Sequence, residues 1–161
     1  MAPCTNAMIK EVLTLSPEQS VGEALEIFKK NDIRSMPVID KDGKLAGLFG
    51  LRHVLLALLP KSVTMEDGLP RLDFVLGAAP GIAKRLRKLK PKSVSEIMDP
   101  NPMVLYPDTA TWEALRVIAM HGSPIAIVDE KSGNFVGMIA RQTLLLELER
   151  MVEDIEQEED Q

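Results

Sequence analysis

The stretch MPVIDKDGKLAGLF, residues 36–49, carries the pattern that decides the fold. A short apolar run leads into an Asp-Lys-Asp-Gly turn, and a second apolar run follows. Short apolar runs that include β-branched residues are typical of buried strands, and glycine suits the positive φ of a hairpin turn. The stretch IAIVDEKSGNFVGMI, residues 125–139, repeats this pattern. The sequence therefore predicts two strand–turn–strand hairpins, one in each half of the chain.

The region around these hairpins is also repeated. A shift of 90 residues places identical residues opposite each other: Met8 and Met98, Leu15 and Leu105, Pro17 and Pro107, Gly47 and Gly137, and Leu55 and Leu145. A fixed offset of this kind indicates duplication of one supersecondary unit.

Each copy predicts the order strand, helix, strand, strand, helix. Extended segments over residues 12–15 and 103–106 come first, and Ser20 and Thr109 are the expected N-caps of the helices that follow. The last helices are predicted over residues 51–59 and from Arg141 onward. One such unit leaves a sheet face and helix faces uncovered, so two units should pack together. The fold class is α/β of the α+β type, with two pseudo-symmetric βαββα repeats forming one module.

The chain divides into a first repeat over residues 1–60, a basic helical linker over 61–92, a second repeat over 93–148 and an acidic tail over 149–161. A break in the linker is predicted at residues 68–70, and a short buried turn of helix is predicted near residues 72–76. A further helix is predicted over 81–89, behind Pro80.

The linker helix is rich in Lys and Arg, and the tail is rich in Glu and Asp. Charge runs of this kind are usually solvated helix faces. The alternative is a weak, salt-sensitive attraction between linker and tail, within or between subunits. The residues from about Glu156 are expected to be disordered.

Composition excludes several classes of protein. The 161 residues are 45% hydrophobic and 27% charged, as in ordinary globular proteins. A net charge of −5 and few aromatic residues argue against nucleic-acid binding. No stretch approaches the roughly 18 to 20 apolar residues of a membrane helix, and no signal pattern opens the sequence, so a cytoplasmic protein is expected. One cysteine and two histidines indicate neither an intrachain disulfide nor a metal site.

No catalytic motif is present in the sequence. It lacks GxSxG, GxxxxGK, HExxH and CxxC. The chain is therefore expected not to be an enzyme.

The two copies together resemble a tandem pair of CBS (cystathionine-β-synthase) domains. The resemblance rests on the segments CTNAM (4–8) and VSEIM (94–98), the strand–Pro–helix stretches 13–25 and 103–115, and the two hairpins with their Gly-apolar-apolar endings. It implies a module with two clefts that usually dimerises. It also implies binding of adenosine-containing ligands and regulation of an attached or separate enzyme or transporter.

Nucleotide-binding members of this family often carry Gly-apolar-apolar-Thr-x-x-Asp after the last strand. Here Gly50 and Ala140 replace the threonine, and His53 and Thr143 replace the aspartate. A carboxylate that accepts two ribose hydroxyls forms charge-assisted hydrogen bonds. Neither cleft supplies one from this position.

The resemblance nevertheless places candidate ligand contacts in both clefts. Arg52 and Arg141 stand near helix starts, where an anion would also meet free backbone N–H groups, although solvated arginines are the ordinary alternative. The apolar pairs Met36-Pro37 and Pro124-Ile125 either form walls against a flat ligand ring or pack in the core. The candidates in cleft 1 are Arg34, Met36, Pro37, Arg52 and His53. Those in cleft 2 are Ser123, Pro124, Ile125, Arg141 and Thr143.

The leading hypothesis is a regulatory module that requires no cofactor. It would sense AMP, ADP, ATP or S-adenosylmethionine, in at most one of its two clefts, and signal as a homodimer to an effector protein. The alternative is a degenerate pair that binds no nucleotide and serves dimerisation or protein interaction. The missing threonines and aspartates favour the alternative, and the arginines favour the sensor.

Overall fold

The computed structural model describes residues 2–59 and 79–160. The linker break at 68–70 and the buried turn near 72–76 lie outside these residues. The helices are α1 Val21–Asn31, α2 Leu51–Leu58, α3 Ala79–Leu89, α4 Val94–Ile97, α5 Thr111–His121 and α6 Arg141–Glu159, with a 3-10 turn at Cys4–Ala7. The strands are β1 Ser35–Ile39, β2 Leu45–Gly50, β3 Val104–Leu105, β4 Ile125–Val128 and β5 Phe135–Ile139.

These elements form two compact units of an α+β fold. Unit I contains Thr14–Asp40 and Ala46–Pro100. Unit II contains Met1–Leu13, Lys41–Leu45 and Asn101–Gln161.

Unit I is built around the predicted first hairpin. Strands β1 and β2 form a two-stranded sheet, and Gly43 has a φ of 83° in the connecting turn, whose residues Lys41–Leu45 are counted with unit II. The Ser20 side chain accepts a hydrogen bond from Glu23 N, so the predicted N-cap of α1 is confirmed. One face of α1 is buried, and the Phe28 ring stacks on Phe49 with centroids 5.8 Å apart. Burial of this aromatic pair anchors α1 to the sheet.

The predicted strand over residues 12–15 is wrong except at its last residue. Leu15 alone pairs with the sheet, in a parallel bridge to Val38. Leu15 N donates to Pro37 O at 3.0 Å, and Ile39 N donates to Leu15 O at 2.8 Å. The apolar pattern identified the buried residue, and a single bridge satisfies its backbone groups.

Unit II has a three-stranded sheet in the order β3–β4–β5. Strand β4 is parallel to β3 and antiparallel to β5. Thr109 does not cap α5, so that prediction is wrong. Ala110 is the N-cap residue and provides no side-chain bond, while Thr109 Oγ1 accepts from Tyr106 N at 3.0 Å in the preceding turn. The hydroxyl thus stabilises the turn rather than the helix.

The leading segments of the two repeats, residues 3–9 and 93–99, are exchanged between the units. Ile9 N donates to Met138 O at 2.7 Å in unit II. At the equivalent positions of unit I, Asp99 N donates to Leu48 O at 2.9 Å. Cys4 and Ala7 accordingly belong to the core of unit II, and Val94 belongs to the core of unit I.

Two glycines make this exchange possible. A Cβ atom at Gly137 would lie 2.7 Å from Met8 Sδ, and a Cβ atom at Gly47 would lie 2.6 Å from Met98 Sδ. Each leading methionine therefore covers a strand glycine of the other repeat. The same methionine–glycine contact occurs in both units, so the two sequence repeats also correspond in structure.

Helix α6 extends further than expected. It has 19 residues and continues through Glu159, so the expected disorder from about Glu156 is wrong. Ion pairs from Arg150 to Glu147 and Asp154 support its middle turns. Among the described residues, no helix is long and apolar enough to cross a membrane.

Candidate functional site

The start of α2 brings together three of the five residues predicted for cleft 1. Leu51 N donates to Arg34 O at 2.9 Å, and Gly50 N donates to His53 Nδ1 at 2.9 Å. The Arg34 and Arg52 side chains are exposed at this point, and His53 is half-buried. Two backbone amides that an anion could have used are therefore bonded within the protein.

The start of α6 has the equivalent arrangement in unit II. Arg141 N donates to Ser123 Oγ at 3.0 Å, and Ala140 N donates to Thr143 Oγ1 at 3.0 Å. Thr143 Oγ1 in turn donates to Ala140 O at 3.0 Å. The polar groups of Ser123 and Thr143 thus bond to the helix start itself, and the exposed Arg141 guanidinium is the charged group left beside it.

The apolar candidates divide between the core and its edge. Met36 and Pro37 are fully buried in β1, and Ile125 is buried in β4. Pro124 is half-buried and follows a cis peptide bond from Ser123. Buried strand residues of this kind contribute packing, so Pro124 alone of the four has surface available to a ligand.

A shallow cavity of about 440 Å³ lies beside His53 in unit I. It is lined by His53, Leu56 and Ala57 of α2 and by Glu96 and Ile97 of α4. Its walls combine apolar side chains with an imidazole and a carboxylate from two different elements, which is the composition expected of a small-molecule site. Another depression of about 450 Å³ covers one face of α1 only, with no lining residue from a second element.

The equivalent position in unit II is filled by a buried carboxylate. Glu147, the counterpart of Ala57, is 6% exposed. Arg150 forms a two-pronged ion pair with it, at 2.7 Å from Nη2 to Oε1 and 3.0 Å from Nε to Oε2. The hydrogen bond from Arg150, with a further one from the Asn6 side chain, lowers the pKa of Glu147 against the opposing effect of desolvation. Because Asn6 is the counterpart of Glu96, this contact occupies the location that is open in unit I.

The protonation of His53 follows from its surroundings. Burial lowers the pKa of His53. The negative charge of Asp99 opposes this effect, and the positive charge of Arg52 reinforces it. Nδ1 accepts a hydrogen bond from Gly50 N, so the neutral ring carries its proton on Nε2. The side chain therefore presents a hydrogen-bond donor where ribose-binding relatives are expected to present an acceptor.

The two units and their exchanged segments match a known family. The CBS domain family model matches residues 4–60 and 94–150. A CBS domain-containing protein of Dictyostelium discoideum is 30% identical over 151 residues, which are 92% of this chain and 92% of that protein. The chain belongs to the CBS domain family.

Solved structures show the same CBS-pair fold. A CBS domain-containing protein from Bacillus anthracis has a TM-score of 0.69 at 24% identity, covering 93% of this chain and 94% of that chain. CBSX2 of Arabidopsis thaliana, solved in complex with AMP, has a TM-score of 0.63 at 20% identity, covering 93% of each chain. CBS-pair proteins thus include at least one that holds AMP.

Sequence reasoning missed four residues of the unit I cavity: Leu56, Ala57, Glu96 and Ile97. The repeat placed 96 and 97 in the leading segment of the second copy, far along the chain from α2. Only the exchange of leading segments brings α4 beside α2. The sequence offered one signal for this contact, the alignment of Met8 with Met98 and of Gly47 with Gly137. That alignment identifies equivalent positions in the two repeats, but it does not say which methionine contacts which glycine.

Proposed function

We propose that this chain is a regulatory CBS pair that binds an adenosine-containing ligand in unit I and signals, as a homodimer, to an effector protein. The observation that carries the proposal is the cavity between α2 and α4, which is open beside His53 and is filled by Glu147 in unit II. The complex of CBSX2 with AMP supports the ligand class. No catalytic step is part of the proposal.

Each part of the cavity suits a part of such a ligand. Leu56 and Ile97 offer apolar walls for a flat base, and Glu96 offers a hydrogen-bond acceptor for hydroxyl or amino groups. His53 Nε2–H offers a donor for a ligand oxygen. The exposed guanidinium groups of Arg34 and Arg52, at the same helix start, suit phosphate oxygens.

Occupancy is expected in one unit only. The Glu147 carboxylate would have to leave Arg150 and Asn6 before a ligand could enter the equivalent place in unit II. Breaking this ion pair would leave the Glu147 carboxylate, which is only 6% exposed, without its charged partner, and this disfavours ligand entry. A stoichiometry of one ligand per chain follows.

The test is thermal unfolding of the protein with AMP, ADP, ATP, S-adenosylmethionine or NADH. A ligand present at 100 times its dissociation constant stabilises by about 2.7 kcal/mol, or roughly 5 to 10 °C for a chain of this size. Ala57→Met, which fills the cavity from an exposed helix position, should abolish the shift. Ala119→Met, at an exposed position of α5, is the matched control and should keep it.

The alternative is a CBS pair that binds no small molecule and acts only in dimerisation or protein interaction. The absence of an aspartate at positions 53 and 143 favours it, and so do the exposed leucines on both final helices, such as Leu55 and Leu146. No thermal shift with any ligand at millimolar concentration would support this function over the sensor.

A further inference from the structure

Three side chains at the start of α2 offer hydrogen-bond donors to a ligand and no acceptor. His53 lines the cavity of unit I, and its Nδ1 accepts the hydrogen bond from Gly50 N, so only Nε2–H is left for a ligand. Arg52 is its neighbour in the chain, and the positive charge of Arg52 acts on the imidazole. Arg34 lies at the same helix start, because its carbonyl accepts from Leu51 N at 2.9 Å.

Gly50 allows the segment that carries Arg34 to lie close to α2. A Cβ atom at Gly50 would lie 3.2 Å from Arg34 O and 3.3 Å from Ser35 Cβ, so these neighbours would have to give way for any larger residue. In this chain a threonine at position 50 would therefore press on the start of β1. The loss of that hydroxyl and the close approach of Arg34 go together.

Two backbone amides at this helix start are already bonded. Gly50 N donates to His53 Nδ1 and Leu51 N donates to Arg34 O, both at 2.9 Å. An anion here would therefore depend on the side chains more than on the backbone. Guanidinium groups suit this role, because their planar set of N–H donors matches the oxygens of a phosphate.

The acidic residues near the cavity limit where such an anion can lie. Glu96 belongs to the α4 wall, and the negative charge of Asp99 acts on His53. Because like charges repel, a phosphate is disfavoured beside the α4 wall. It is favoured at the start of α2, where Arg34 and Arg52 supply two positive charges, and the amino group of a base is favoured beside Glu96.

An adenosine ligand satisfies these donors best when its ribose is phosphorylated. A free ribose presents hydroxyl groups that need an acceptor, and His53 presents a donor. A phosphate on the 2′ or 3′ oxygen replaces a hydroxyl donor by three acceptor oxygens and about two negative charges. Dinucleotide-binding enzymes make the same distinction, since an acidic residue binds the 2′-hydroxyl of NAD and an arginine accommodates the 2′-phosphate of NADP.

We propose that the unit I cavity selects adenosine ligands that carry a phosphate on the 2′ or 3′ oxygen of the ribose, held by Arg34, Arg52 and His53. The inference rests on the proposed function and names the ligand class of the same site. A 2′-phosphate is found in NADP-type dinucleotides, and a 3′-phosphate is found in coenzyme A-type ligands. Both present the same phosphomonoester to the three donors.

Unit II lacks this set of donors. The residues equivalent to Arg34, Arg52 and His53 are Ser123, Gln142 and Thr143. The hydroxyl groups of Ser123 and Thr143 bond to the start of α6, which leaves Arg141 as the one cation there. The preference for a phosphorylated ribose therefore belongs to unit I, and Arg141 provides a matched control.

Calorimetric titration of the whole protein with four nucleotides tests the inference. The probes are AMP, ADP, adenosine 2′,5′-bisphosphate and adenosine 3′,5′-bisphosphate. At least one bisphosphate should bind about tenfold tighter than AMP, with one ligand per chain, because the ribose phosphate gains charge-assisted hydrogen bonds. The tighter of the two bisphosphates identifies the phosphorylated oxygen. ADP carries its added phosphate at the 5′ end and should gain less.

Substitutions assign the preference to the three side chains. Arg34→Gln and Arg52→Gln should each weaken the preferred bisphosphate by about tenfold and AMP by less. Arg141→Gln should change neither affinity. His53→Asp should reverse the preference, with tighter binding of AMP and weaker binding of the bisphosphate. All four side chains are exposed or half-buried, so the variants should fold, and circular dichroism checks this.

The two ways in which the inference can fail are distinguishable. Equal affinity for AMP and both bisphosphates, or an equal gain with ADP, overturns the selection of a phosphorylated ribose and leaves the adenosine sensor intact. No binding of any of the four nucleotides at millimolar concentration refutes the sensor itself.

Discussion

Replacing Gly47 by alanine tests the exchange of leading segments directly. A Cβ atom at this position would lie 2.5 Å from the backbone oxygen of Asp99 and 2.6 Å from Met98 Sδ. The methionine can rotate away, but the carbonyl belongs to a backbone bridge in which Leu48 and Asp99 exchange two hydrogen bonds, at 3.0 and 2.9 Å. The substitution therefore forces the backbone of the leading segment away from β2.

The expected cost combines two effects. Overpacking a filled site costs about 1 to 3 kcal/mol, and weakening backbone hydrogen bonds adds about 1 kcal/mol. A loss of about 2 to 4 kcal/mol corresponds to roughly 5 to 15 °C in thermal unfolding. Differential scanning calorimetry measures it.

Gly137→Ala provides the matched comparison. There the nearest atom to the added Cβ would be Met8 Sδ at 2.7 Å, near the far end of a flexible side chain. The three nearest atoms all belong to the Met8 side chain. Alanine should cost less than about 1.5 kcal/mol at this position, because the thioether can move. Equal losses for the two variants would refute the reasoning that the leading segment of the second repeat is held against β2 by its backbone.

Three further predictions concern α1 and His53. Because burial lowers the pKa of His53 below its ordinary 6.5, the unfolded chain takes up this proton first. The contribution of His53 to the free energy of unfolding should be constant above pH 6.5, decrease as the pH falls from 6.5 to the lower folded-state pKa, and level off below it. His53→Gln should remove that decrease and His121→Gln should not, as measured by urea unfolding between pH 8 and 5. Ser20→Ala removes the N-cap bond to Glu23 N and should cost about 1 kcal/mol in the same assay; an unchanged midpoint would contradict the cap. His53→Asp introduces a ribose acceptor and should raise the affinity for AMP about tenfold or more in calorimetric titration, and a lower affinity would contradict the assignment of this position to the ligand site.

Much of the fold could be predicted because it depends on local patterns. The hairpin strands β4 and β5 begin and end where apolar runs begin and end, and Gly43 and Gly133 adopt the positive φ that the turns required. The strand over 12–15 could not be predicted well, since one buried leucine in an extended segment looks like a strand whether or not its neighbours find partners. The cap at Thr109 failed because a threonine side chain can stabilise a turn as well as a helix start.

The candidate site was predictable only in part. The start of each final helix follows from the repeat, so Arg52, His53 and Arg141 were correctly placed beside helix N-termini. The cavity depends on Glu96 reaching α2 from another repeat, and the filling of its counterpart depends on Asn6 reaching Glu147. Such contacts between residues distant in sequence are not encoded in periodicity or spacing.

The most direct test of the account is a titration of the isotopically labelled protein with AMP, followed by the backbone amide resonances. The account predicts saturable shifts at Gly50 to His53 and at Glu96 and Ile97, with one ligand bound per chain. Shifts confined to Ala140 to Thr143, or none at millimolar AMP, would contradict the claim that this CBS pair senses an adenosine ligand through unit I.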